Sequence, residues 1–151
     1  MKFNIKLILL GGLAYYVAQW VIAMVTGMVI HEGILDPVYM AVPEFWRPEL
    51  NQDPPDMAAL MPLWIVTGLI GAFIGVFIYD NIRAALAGSP AISGAKFGFL
   101  AGLFYASICM GFNGVFNVPE TIWMWWAIEG FVIFIPSAAV LGWVTPKIAK
   151  D

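Results

Sequence analysis

Apolar residues dominate four stretches of the chain, from about Leu7 to Ile30, Met57 to Tyr79, Phe97 to Val118 and Thr121 to Val144. A hydrocarbon layer about 30 Å thick is crossed by ~20 residues of α-helix at ~1.5 Å rise each, so every stretch is long enough to span one. Strands of a membrane barrel would alternate apolar and polar positions; these runs do not, which leaves helices as the spanning form. The pattern predicts an all-α membrane protein, four transmembrane helices in a compact bundle. Residues 1–151 are expected to make a single four-span domain with a long loop over residues 31–56.

Composition supports the same class. The chain is 62% hydrophobic and 11% charged, with a mean hydropathy of +0.86. Soluble domains hold roughly 45–50% apolar and about 25% charged residues, because they need a solvated surface. The expected partner of the excess apolar surface is therefore the lipid bilayer. Charge then sets orientation. Lys2, Lys6, Arg83, Lys96, Lys147 and Lys150 all fall on one side of a four-span arrangement, and Arg47 alone falls on the other. The positive-inside rule makes the first side cytoplasmic, so both termini are expected in the cytoplasm of a cell's inner or plasma membrane. The lysines before the first span also fit the opening of a cleavable signal. Hydrophobicity continues through Ala18, Val21, Ile22 and Val25 without a small-x-small site after it, so a retained helix is expected.

The connections differ. The segment from Asp36 to Asp56 carries Pro37, Pro43, Pro48, Pro54 and Pro55 with Tyr39, Phe45 and Trp46, which predicts a rigid interfacial segment containing a short helical turn. Residues 87–90 make a plain turn, and the short link at residues 117–121 makes the third and fourth helices an antiparallel hairpin. Trp64, Trp123, Trp125 and Trp126 are expected at the outer interface as an aromatic belt. The two halves share faint similarity: Gly11–Tyr15 pairs with Ala101–Tyr105, and Leu63–Gly68 with Trp125–Gly130. A duplication would make two repeated hairpins related by an axis along the membrane normal.

Small residues recur at helical spacing. Gly94, Gly98 and Gly102 enter the third helix, and Gly68, Gly71 and Gly75 lie in the second. Gly12, Gln19, Thr26 and Gly33 repeat every seven residues in the first. Such faces let helices approach closely, and Gln19 and Thr26 can hydrogen-bond to a neighbour. Packing inside the bundle is their ordinary use; docking of another membrane protein or a second copy is the sharper one.

Chemistry has few candidates. Glu129, about eight residues into the fourth span and so roughly 12 Å deep, is an ionisable group in the membrane and a functional suspect by default. A carboxylate there calls for a base or hydrogen-bond donor beside it. His31, Glu32, Asn113 and Asn117, near the same end of the bundle, are the candidates to converge on it as an outer polar cluster. A single histidine and a single cysteine, Cys109, exclude multi-histidine or multi-cysteine metal sites, so neither metal nor cofactor is expected. The serines lack a nucleophile-elbow context, no loop is built to cradle phosphate, and scattered basic residues give no nucleic-acid footprint. No enzyme is expected. Two functions remain: a non-catalytic membrane subunit packing through its small-residue faces, and a small channel or transporter handling a proton or cation at Glu129, His31 and Glu32.

Overall fold

The computed structural model describes residues 3–149, all of whose regular elements are helical. Lys2 and Lys150 lie outside the described residues. Helix α1, Ile5–Thr26, starts where the Asn4 side chain accepts a hydrogen bond from the Leu7 amide at 3.0 Å, satisfying a donor that has no partner within the helix. It continues as a π-helical segment, Gly27–Leu35, and the four-residue α2, Asp36–Tyr39. Helix α3 is Met57–Ile82, capped by Asp56 through the Ala59 amide at 3.1 Å. Helix α4, Pro90–Asn113, has proline in its first turn, where the missing N–H costs nothing, and α5 is Glu120–Ile148. A short 3₁₀ turn, Pro43–Phe45, lies in the long connection. Four helical rods are long and apolar enough to cross a membrane, 5–39, 57–85, 90–113 and 120–148, the pattern of a multi-pass membrane protein.

These bounds depart from the apolar runs at several ends. The first rod ends at Tyr39 rather than Ile30, and α4 spans 90–113 rather than 97–118. Apolarity marks where a helix needs lipid or core around it; caps, prolines and glycines mark where it stops.

Helix α5 packs along both α4 and α1, and α1 packs in turn against α3. The α4–α5 contact is nearly backbone to backbone. A Cβ built on Gly94 would lie 2.0 Å from the Ala138 carbonyl oxygen, one on Gly98 2.2 Å from that of Phe134, and one on Gly142 2.1 Å from that of Pro90. Further along, Gly102 receives the Phe131 ring and Gly130 the Tyr105 ring. The α1–α3 contact uses aromatic rings on glycine as well, Phe73 on Gly12 and Tyr16 on Gly68, with Tyr15 at Gly75. Between α3 and α4 the contact is slight, with Tyr79 meeting Phe97 at a ring separation of 5.4 Å and Ser93 at 3.4 Å. A two-fold exchange of the hairpins would match the α1–α5 face with an equal α3–α4 face, and the packing is not equivalent in this way.

Two buried clusters result. Leu7, Tyr15, Val76, Tyr79, Ala138 and Leu141 fill one end, and Ile30, Leu35, Cys109, Ile122 and Trp123 fill the other. Outward faces are apolar along every long helix, as at Leu13, Val21, Ile70, Phe104 and Val132. Trp123 is packed inside the protein. It is 3% exposed and packs on Phe112, Phe116 and Trp126, because the 114–119 connection folds Phe116 over it.

Candidate functional site

The π-helical segment decides what Glu129 meets. In an α-helix, residues five apart are turned by about 140° and cannot face one target. In a π-helix the backbone bonds run from i to i+5, so such residues stack. Thr26 stands at the start of this segment and His31 within it, and both reach the same carboxylate on α5. Thr26 Oγ1 donates to Glu129 Oε1 at 2.6 Å, and His31 Nε2 lies 2.9 Å from Oε2. Thr26 Oγ1 also lies 3.3 Å from the Ala23 carbonyl oxygen, a second acceptor one rotation away.

On its other side, His31 Nδ1 lies 2.6 Å from Tyr39 Oη, with the two rings stacked at 5.9 Å. The same oxygen accepts the indole N–H of Trp126 at 2.8 Å. Trp46 donates its indole N–H to the Tyr39 carbonyl at 3.0 Å and lays its ring edge-on against that of Tyr39. The proline-rich connection is thereby clamped over the end of the bundle. Glu129 is 8% exposed, whereas the His31 side chain is 37% exposed, so the network is buried at the carboxylate and open at the imidazole. A buried carboxylate without partners would be expensive; here each oxygen has a donor.

Compared with family models, curated proteins and solved structures, the chain matches none. The site's meaning rests on its own geometry.

Of the five candidate polar residues, the structure brings His31 and Glu129 together and leaves three apart. Glu32 and Asn117 are exposed and Asn113 is half-buried, and none of their side chains bonds to Glu129. Depth explains the asparagines: Tyr105 of α4 is level with Gly130, and Asn113 lies eight residues further on, roughly 12 Å away. Glu32, one residue from His31, faces away from the contact. Among the described residues no group of three His, Cys, Asp or Glu side chains converges as a metal site.

Three members of the network carry other meanings in the sequence. Thr26 belongs to a packing repeat, and Tyr39 and Trp126 read as interfacial aromatics. Five-residue spacing has no significance in an α-helix, so only the π turn reveals the connection; glycines at 27 and 33, poor helix formers, are its faint signature.

The small-residue positions divide as well. Gly94, Gly98 and Gly102 are consumed by α5, and Gly12, Gly68 and Gly75 by aromatic rings between α1 and α3. Gln19 is half-buried, and the Tyr15 hydroxyl turns toward it and Ser137. Gly71, turned about 60° from Gly68, would place a Cβ in open space, and Gly33 would touch only the Met28 carbonyl at 3.5 Å. The seven-residue repeat of α1 does not hold one face. An α-helix drifts by about 20° per heptad, which carries the repeat from α3 at Gly12 toward α5 at Thr26, and the π turn then breaks the register.

Proposed function

We propose that this chain is a multi-pass protein of the cell membrane with both termini cytoplasmic, and that it binds and passes a proton at Glu129. The carrying observation is the pair of contacts that His31 Nε2 and Thr26 Oγ1 make to the two carboxylate oxygens. Both donors suit a carboxylate, and Thr26 can adapt to a carboxylic acid without heavy-atom movement. When Oε2 carries the proton, Thr26 keeps donating to Oε1; when the proton moves on to Oε1, it donates to Thr26 Oγ1 and the threonine proton turns to the Ala23 carbonyl. A metal cation would find both oxygens already covered by N–H and O–H groups, which favours a proton over other cations. The positive-inside rule puts the open side of His31 toward the exterior. The apolar cluster of Leu7, Val76, Ala138 and Leu141 closes the cytoplasmic half, so passage calls for a movement of that half.

Proton flux into vesicles containing the purified chain, driven by a potassium diffusion potential, tests this. Flux above that of protein-free vesicles, lost in Glu129→Gln with the fold retained, is expected. Wild-type flux equal to that of empty vesicles, or an unimpaired Glu129→Gln, overturns it.

A second reading, a non-catalytic subunit packed against itself or other membrane proteins, is favoured by the first half of α3. There Met57, Leu63, Ile65, Val66 and Ile70 are exposed beside the unfilled Gly71. Substituting Gly71 with isoleucine would then cost a co-purifying chain while leaving proton flux unchanged.

A further inference from the structure

Resting on the proton reading of Glu129, we propose that Tyr39 is a positioning residue that holds His31 in the tautomer Glu129 selects and admits the proton to it. Loading Glu129 then reverses that tautomer. The argument is one of donors and acceptors. An indole N–H only donates, so Trp126 occupies one acceptor position of Tyr39 Oη. The remaining short contact of that oxygen is to His31 Nδ1 at 2.6 Å, and it needs one proton between the two atoms. With Glu129 ionised, His31 must present Nε2–H to Oε2, and in the neutral imidazole this leaves Nδ1 bare and draws the Tyr39 hydroxyl proton onto it. The resting state is therefore Trp126 N–H to Tyr39, Tyr39 O–H to Nδ1, and Nε2–H to Glu129.

A proton arriving from water at Tyr39 Oη forms a new O–H bond there as the existing O–H proton passes to Nδ1. The Nε2–H proton passes to Glu129 Oε2. One proton has entered, the carboxylate has lost its charge, and each bond broken is matched by one formed. In the loaded state Tyr39 Oη accepts from both Trp126 and Nδ1–H, filling its two lone pairs, while its own proton points outward. Nε2 is bare and accepts from the Glu129 carboxylic acid. No heavy atom has moved.

The titratable groups facing His31 are Glu129 from α5 and Tyr39 from α2. Tyr105 of α4, paired with Cys109, lies within electrostatic reach of both. Glu32, on the same segment as His31, is exposed.

The chain has a single histidine, so selective ¹⁵N-histidine labelling of the full protein in bilayers gives one pair of ring-nitrogen signals. At neutral pH the expected spectrum has Nε2 protonated and Nδ1 bare, and acidification exchanges the two. Tyr39→Phe is expected to keep Nε2 protonated at neutral pH, because ionised Glu129 still needs that donor, and to lose the exchange on acidification, because no hydroxyl remains to pass a proton to Nδ1 or to accept from Nδ1–H. Glu129→Gln should keep the resting tautomer, since an amide oxygen still accepts from Nε2–H, and should not exchange. A resting Nδ1–H form, an acid state with both nitrogens protonated, or tautomer exchange that persists in Tyr39→Phe overturns the proposal. The spectrum is independent of flux: flux that depends on Glu129 without tautomer exchange defeats the role of Tyr39 alone, and exchange without flux defeats transport alone.

Discussion

A methyl group at Gly98 tests how closely α4 and α5 approach. Its Cβ would lie 2.2 Å from the Phe134 carbonyl oxygen and 2.8 Å from Ile135 Cα, where ordinary contact begins at 3.4 Å, so Gly98→Ala requires a retreat of about 1.2 Å. Both obstacles are backbone, and neither can rotate away. A gap of ~0.5–1 Å already forfeits a quarter to a half of a dispersion contact, and the retreat would be shared along the glycine contacts at Gly94, Gly102, Gly130 and Gly142. In lipid no hydrophobic effect between the helices makes up that loss, because packing itself drives association. The expected cost is that of overpacking, about 1–3 kcal/mol. Gly71→Ala is the control, since its Cβ meets nothing within 4 Å and alanine is the better helix former by up to about 1 kcal/mol. Thermal unfolding in mild detergent, followed by helical circular dichroism, should lower Tm for Gly98→Ala and leave Gly71→Ala at or above wild type. Equal shifts for the two would refute the close approach.

Two more outcomes are expected, one from the site and one from the charge asymmetry of the chain. Thr26→Val keeps the side-chain shape and removes its hydrogen bond to Glu129, and should cost about 0.6 kcal/mol and at most about 1.7 in equilibrium unfolding, the average and upper values for such bonds in membranes; a wild-type value would mean the bond contributes nothing. With Cys109 replaced by alanine, cysteine at Gln52 should react from outside intact cells with an impermeant maleimide and cysteine at Ser89 should not; the reverse pattern would invert the orientation.

The four rods are legible because apolar length is a property of composition, and Glu129 stands out because a carboxylate there is conspicuous. Its partnership with His31 follows from their common end of the bundle. What the sequence conceals depends on rotation and depth. Asn113 shares an end with Glu129 yet lies a turn or more beyond it. Thr26 looks like a packing residue because its spacing to Gly12 is two heptads, whereas its spacing to His31 is meaningful only in a π turn. The glycines of α4 and those of α3 look alike as letters; Gly98 is filled by the backbone of α5, while Gly71 faces away from α1.

The π turn makes a demand that ordinary helix geometry can meet in another way, and this separates cause from coincidence. If Thr26 and His31 must share a face to bind one carboxylate, shortening their separation to four residues lets a regular α-helix do it, with the two about 40° apart. Val29 is exposed on the outward side, so its deletion removes little packing. Inserting one alanine after Val29 lengthens the separation to six, about 120° apart in an α-helix, beyond what the existing turn absorbs. The deletion should therefore keep the coupling between His31 and Glu129, measured as the interaction energy of a double-mutant cycle with His31→Gln and Glu129→Gln, and the insertion should abolish it. Coupling that survives the insertion but not the deletion would show that the π segment is incidental and that something other than face-sharing holds the imidazole to the carboxylate.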